Sequence, residues 1–100
     1  MTTDSTATDQ AVSGRAIITV LGSDRPGIVA AVAGALSERE ANILDISQTI
    51  LQGTFTMTML VDLAGAEFSE LKSTLDALAE RLGVQINLQR EEVFKFMYRL

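Results

Sequence analysis

Along this 100-residue chain the spacing of apolar residues switches four times between two and three-to-four, and the order of those switches restricts the fold more than any single motif. In 16–21, Ala16, Ile18 and Val20 share one face and Ile17, Thr19 and Leu21 the other, the pattern of a strand buried largely on both sides. In 26–40, Ile28, Val32 and Leu36 recur every fourth residue, with Val29 and Ala33 widening the stripe into an amphipathic helix. Alternation returns in 43–52, setting Leu44, Ile46 and Ile50 against Asp45, Ser47 and Thr49. Gly53 interrupts it, and Phe55, Met57, Met59 and Val61 then resume with Thr54, Thr56 and Thr58 facing away, which predicts a hairpin around Gly53. After a turn at 62–66, Phe68, Leu71, Leu75, Leu78 and Leu82 mark a second helix that stops at Gly83. Val84, Ile86 and Leu88 alternate as a last strand.

The order strand, helix, strand, strand, helix, strand, closed with right-handed crossovers, predicts an α+β ferredoxin-like βαββαβ fold: a four-stranded antiparallel sheet with two helices on one face. The second, third and fourth strands each offer one apolar face to the helices. Their other faces carry Thr, Ser, Gln and Asn, suited to water or to another sheet.

The first fourteen residues, 1–14, are rich in Thr, Ser and Asp and poor in large apolar side chains, so they are expected to form a disordered tail. The domain is expected over 15–100, with 90–100 as a C-terminal extension in a short helix. Three of the five aromatics, Phe94, Phe96 and Tyr98, fall within the last seven residues. Such a segment is expected either to close the open face of the sheet or to cross to a partner subunit.

A hydrophobic content of 47% supports one packed domain with a modest core, which burial in a homodimer or larger oligomer would enlarge. A net charge of −5, with Arg15, Arg25, Arg39 and Lys72 scattered, argues against nucleic acid and anionic membrane as partners. The chain has no cysteine and no histidine. That removes disulfides, thiolate zinc sites and the commonest general base; it fits a cytoplasmic setting and leads to the expectation of no metal, no cofactor and no catalysis. No apolar run approaches membrane-spanning length, and the first residues lack signal-peptide order.

The segment 22–28, Gly-Ser-Asp-Arg-Pro-Gly-Ile, joins the first strand to the first helix. The first amides of a helix have no internal partner and its dipole favours negative charge there, so this turn is a candidate anion site. Pro26 suits a first helical turn, and Gly27 admits close approach to the backbone. Asp24 is placed to cap the same amides itself, which leaves an ordinary capped helix start as the other reading.

The run 24–29, Asp-Arg-Pro-Gly-Ile-Val, together with 42–48, Asn-Ile-Leu-Asp-Ile-Ser-Gln, resembles the ACT domain, a small regulatory module of amino-acid metabolism. The resemblance spans about 15–88 and is strongest to small stand-alone ACT proteins similar to the regulators of the glycine cleavage system. It implies a dimer that binds an amino acid or similar small ligand between subunits, near the turn of one chain and the second strand of its neighbour. By the same resemblance, the ligand-binding residues are Asp24, Arg25, Pro26, Gly27, Ile28, Asn42, Ile43, Asp45 and Ser47. Gly27 and Ile28 would offer amides to a carboxylate, Asn42 and Asp45 would face an ammonium group, and Ser47 and Gln48 would shape the pocket. With no output domain in view, regulation would act in trans on a metabolic enzyme or regulator.

Each residue has a plainer role open to it. Asp45 fits an edge-protecting charge, Asn42 a left-handed helix end, and Arg25 an exposed partner of Asp24. Two other function classes compete with the ligand-binding regulator. One is an oligomerisation or interaction module without ligand. The other is an acylphosphatase-like enzyme using Arg25 and Asn42, for which the turn is short and no nucleophile and base are suitably spaced.

Overall fold

The computed structural model describes residues 14–23 and 25–92. The expected N-terminal tail up to residue 13, Asp24 and the C-terminal extension from residue 93 lie outside them.

The chain forms β1 (Arg15–Ser23), α1 (Ile28–Glu38), β2 (Asn42–Leu51), β3 (Thr54–Asp62), α2 (Phe68–Leu82) and β4 (Gln85–Arg90). The sheet order is β2-β3-β1-β4, with every neighbouring pair antiparallel. This is the ferredoxin-like arrangement expected from the periodicity. The helices cover the sheet face that carries Ala16, Ile18, Val20, Met57, Met59, Val61, Ile86 and Leu88. Ile28, Val32 and Leu36 from α1 and Leu71, Leu75 and Leu78 from α2 complete that core. A fully buried side chain of this size contributes about 1.5–3 kcal/mol by leaving water, so these aliphatic residues carry most of the stability.

α1 is shorter than the expected 26–40. Gly27 is its N-cap with φ 90°, so Pro26 sits in the turn before the helix rather than in its first turn. Among the described residues no side chain caps α1; the capping role expected of Asp24 falls on a residue outside them. At the far end Glu40 adopts φ 63°, with Glu40 N–H donating to Ser37 O and Ala41 N–H to Leu36 O. This is a Schellman stop made by Glu40, so Asn42 is released to begin β2.

β2 departs most from expectation. It is an edge strand exposed along its whole length, with Leu44, Ile46 and Ile50 at 49%, 41% and 58%. The helices do not reach far enough to cover it. A bulge at Leu44 also breaks the simple alternation: Ile43 pairs Val61, Asp45 pairs Leu60 and Ile46 pairs Met59. Ile43, Ile46, Gln48 and Ile50 therefore share the helix side of the sheet, and Asn42, Asp45, Ser47, Thr49 and Leu51 share the open side. β1 is likewise asymmetric at its end, for Ile17 is buried while Leu21 is exposed.

Candidate functional site

The turn at 25–27 stands at the end of the sheet where Ser23 of β1 pairs with Thr54 of β3, and Thr54 with Leu51 of β2. Two contacts hold it there. The Arg25 guanidinium donates to the Leu82 carbonyl at 2.6 Å, fastening the turn to the last turn of α2. Just before it, Gly22 lies against Val84; a Cβ on Gly22 would stand 2.6 Å from Val84 Cγ1. Gly22 was missed by sequence reasoning, since only the three-dimensional approach of the α2–β4 connection reveals why no side chain fits.

The helix tip itself is open. Arg25, Pro26 and Gly27 are exposed, and among the described residues nothing lies within 4 Å of where a Gly27 Cβ would be. Gly27 O accepts from Ala31 N–H at 2.9 Å, and among the described residues no side chain caps the earlier amides of α1. Ile28 is buried, so its side chain anchors the tip in the core. Because Gly27 has a left-handed φ, a Val there would strain the backbone as well as block the tip.

Asn42, Ile43 and Asp45 lie at the opposite end. Asn42 pairs with Asp62, which pairs in turn with Arg15 at the start of β1. Eight strand steps separate this end from the turn, about 27 Å at roughly 3.4 Å per residue. Ser47 is midway, beside Thr58 and Thr19. Asp45 Oδ1 accepts from Ile46 N–H at 2.8 Å, so one carboxylate oxygen steadies the bulge. In one chain the expected site residues thus form two separate groups. Within one chain the same separation keeps Arg25 and Asn42 from meeting around one phosphoryl group, as the acylphosphatase-like reading would require.

A shallow groove of about 520 Å³ runs instead between the outer faces of α1 and α2, lined by Ala30, Gly34, Ala77, Glu38 and Arg81 among others. None of the expected site residues lines it. Among the described residues no group of three or more acidic side chains is gathered to hold a metal ion. No described helix is long and apolar enough to cross a membrane.

The ACT domain family model matches residues 15–89. The chain belongs to the ACT domain family. A UPF0237 protein of Methanocaldococcus jannaschii is 49% identical over 88 residues, covering 86% of this chain and 98% of that protein. An ACT domain protein from Streptococcus pneumoniae superimposes with a TM-score of 0.71 at 43% identity, over 81% of this chain and 93% of that one. A structure assigned as a glycine cleavage system transcriptional repressor gives a TM-score of 0.70 at 26% identity, with 76% of this ACT chain matching 44% of that one. The similarity to glycine cleavage regulators expected from the turn and the start of β2 thus extends to the whole fold.

Proposed function

We propose that this ACT chain is a regulatory module that works as a dimer, binds an amino acid or similar small zwitterion at sites built from two chains, and acts in trans on a metabolic enzyme or regulator. The observation that carries this reading is the division of the site between the two ends of the sheet, with an exposed apolar edge strand between them. If two β2 edges pair antiparallel about a twofold axis, residue 42 of one copy comes to the end where residue 51 of the other lies. That is the end of the turn 25–28. One chain then supplies helix-tip amides for a carboxylate, and the other supplies Asn42 and the free oxygen of Asp45 for an ammonium group. The same pairing covers Ile46 and Ile50 and satisfies the unpaired edge of β2. The likeness to a structure assigned as a glycine cleavage system transcriptional repressor supports the regulatory reading.

The test is subunit complementation. Gly27→Asn puts an amide over the tip at low backbone cost, since Asn tolerates positive φ. Asn42→Ala removes the contact from the other group. A thermal-shift screen against the twenty amino acids, with a ligand that binds only the folded state, should give a dose-dependent rise in the wild type and none in either variant. Mixed dimers of the two variants should regain binding at half the sites, because one of their two sites is intact. Binding retained by both variants places the ligand elsewhere. A stable dimer with no shift for any amino acid makes this an interaction module.

A further inference from the structure

The outer face of α1 lacks what a solvent-facing helix carries. From Ile28 to Ser37 it has no charged residue, although Ala30, Gly34 and Ser37 are exposed, whereas α2 exposes Lys72, Asp76 and Glu80. Gly34 sits in the middle of α1, where glycine weakens a helix. Among the described residues nothing lies within 4 Å of a Cβ built on it, so no close neighbour there requires a glycine.

α1 and α2 run antiparallel, since Arg25 reaches Leu82 at one end of the pair and Arg39 reaches Thr74 at the other. The groove between them therefore has Arg81 beside Ala30 at one end and Glu38 beside Thr74 at the other. Among the described residues Glu38 and Arg81 have no partner, whereas Arg15, Arg25, Arg39, Lys72 and Arg90 each have one. Glu38 also stands in the last turn of α1, at the negative end of the helix dipole, with no basic residue in that turn to offset it.

We propose that this groove takes the helix layer of a second copy, about a twofold axis that lies across both helices at Gly34 and Ala77. Such an axis reverses the helix direction, so α1 meets α1, α2 meets α2, and each end of the groove faces the opposite end of its mate. Glu38 of each copy then comes to Arg81 of the other, and both unpaired charges are matched twice over. A twofold axis along the helices would set Glu38 over Thr74 and leave both charges unmatched, so the charge pattern selects one orientation. Ala30, Gly34 and Ala77 allow the facing helices to close to about 8–10 Å between axes. The contact lies on the helix side and leaves the β2 edge free. It requires neither a ligand nor the pairing of β2 edges, and it can be made together with that pairing.

The chain has no cysteine, so a single introduced thiol reports only contact with another copy. Ala77 is exposed and close to the axis, whereas Lys72 is exposed outside the groove. Under mild oxidation of the full chain, Ala77→Cys should form a disulfide-linked dimer several-fold faster than Lys72→Cys. Glu38→Arg or Arg81→Glu, each added to Ala77→Cys, should slow that cross-link several-fold, and the two together should restore it, because the reversed pair attracts again. One reversal lowers the net negative charge and the other raises it, so a loss common to both does not come from net charge. Gly34→Leu should also slow the cross-link while leaving the melting temperature no lower than that of the wild type, since leucine suits a helix better than glycine. Equal rates for Ala77→Cys and Lys72→Cys overturn the proposal. So do single reversals without effect, a double reversal that fails to restore the cross-link, or a folded Gly34→Leu protein that cross-links as fast as before.

Discussion

The guanidinium of Arg25 donates to the main-chain carbonyl of Leu82 at 2.6 Å, so the turn that opens α1 is fastened to the end of α2. A cation at a helix C-terminus meets carbonyls without internal partners and the negative end of the dipole. At the other end of the helix pair Arg39 donates to Glu70 and to Thr74, so the two helices are clamped near both ends. Because Arg25 is exposed, Arg25→Ala should cost no more than about 1 kcal/mol of global stability. Its larger effect should be local. Hydrogen exchange of the amides at 31–33, the first with partners inside α1, should accelerate several-fold, while core amides of β1 and β3 stay protected. Unchanged exchange at the tip would show that the turn holds its shape without this contact.

Gly22 and Val84 define a close approach that a single methyl group disturbs. Gly22→Ala places its Cβ 2.6 Å from Val84 Cγ1 and 3.3 Å from Val84 Cα, so both a side chain and backbone must shift. Overpacking of this kind costs about 1–3 kcal/mol, read as a lower urea midpoint at unchanged slope. Combining it with Val84→Ala removes the nearest atom. The double variant should therefore be more stable than the sum of the two single losses allows, with a coupling of about 0.5 kcal/mol or more.

On β2, Ile46 is exposed at the centre of the proposed dimer interface. Ile46→Lys should leave monomer stability within about 0.5 kcal/mol, since the side chain lies outside the core. A buried apolar residue at the middle of an interface is worth at least about 1.4 kcal/mol, a tenfold change in dissociation constant. Sedimentation velocity over a concentration series checks this. A dimer of unchanged affinity would move the interface off this edge.

The element order was legible because each segment has a clear apolar period, and α2 was read to the residue since its five apolar positions, its start at Phe68 and its stop at Gly83 agree. β2 was legible as a strand but not as an edge. Alternation records which faces are apolar; it does not record whether a helix is long enough to cover them, and Ile46 and Ile50 remain exposed as a result. The bulge had one sequence signal, the adjacent apolar pair Ile43 and Leu44, which strict alternation cannot place on one face. The start of α1 was misplaced because Pro26 suits both a first helical turn and the turn before it, and only the positive φ of Gly27 separates them. The candidate site was legible as two motifs. Their separation across the sheet followed from strand direction: β1 ends where the turn begins, whereas β2 begins at the other end.

Acid should act on α2 through Glu67. Its side chain is the N-cap, with Oε1 accepting from Ser69 Oγ at 2.6 Å and from Glu70 N–H at 3.2 Å. The Ser69 hydroxyl first, then the Glu70 amide, and more weakly the charge of Arg90, hold this carboxyl below its ordinary value of 4.5. A carboxylate whose folded value is depressed binds fewer protons in the folded state than in the unfolded one. Its contribution is therefore complete well above pH 4.5, and it is lost as pH falls through that value toward the lower folded one. Glu67→Gln keeps the shape and an acceptor oxygen but removes the titration. Its deficit relative to the wild type should be largest at pH 7 and should shrink between about pH 5 and pH 3, measured as urea midpoints across that range. A deficit constant with pH would mean that the cap acts through its geometry alone and its charge contributes nothing.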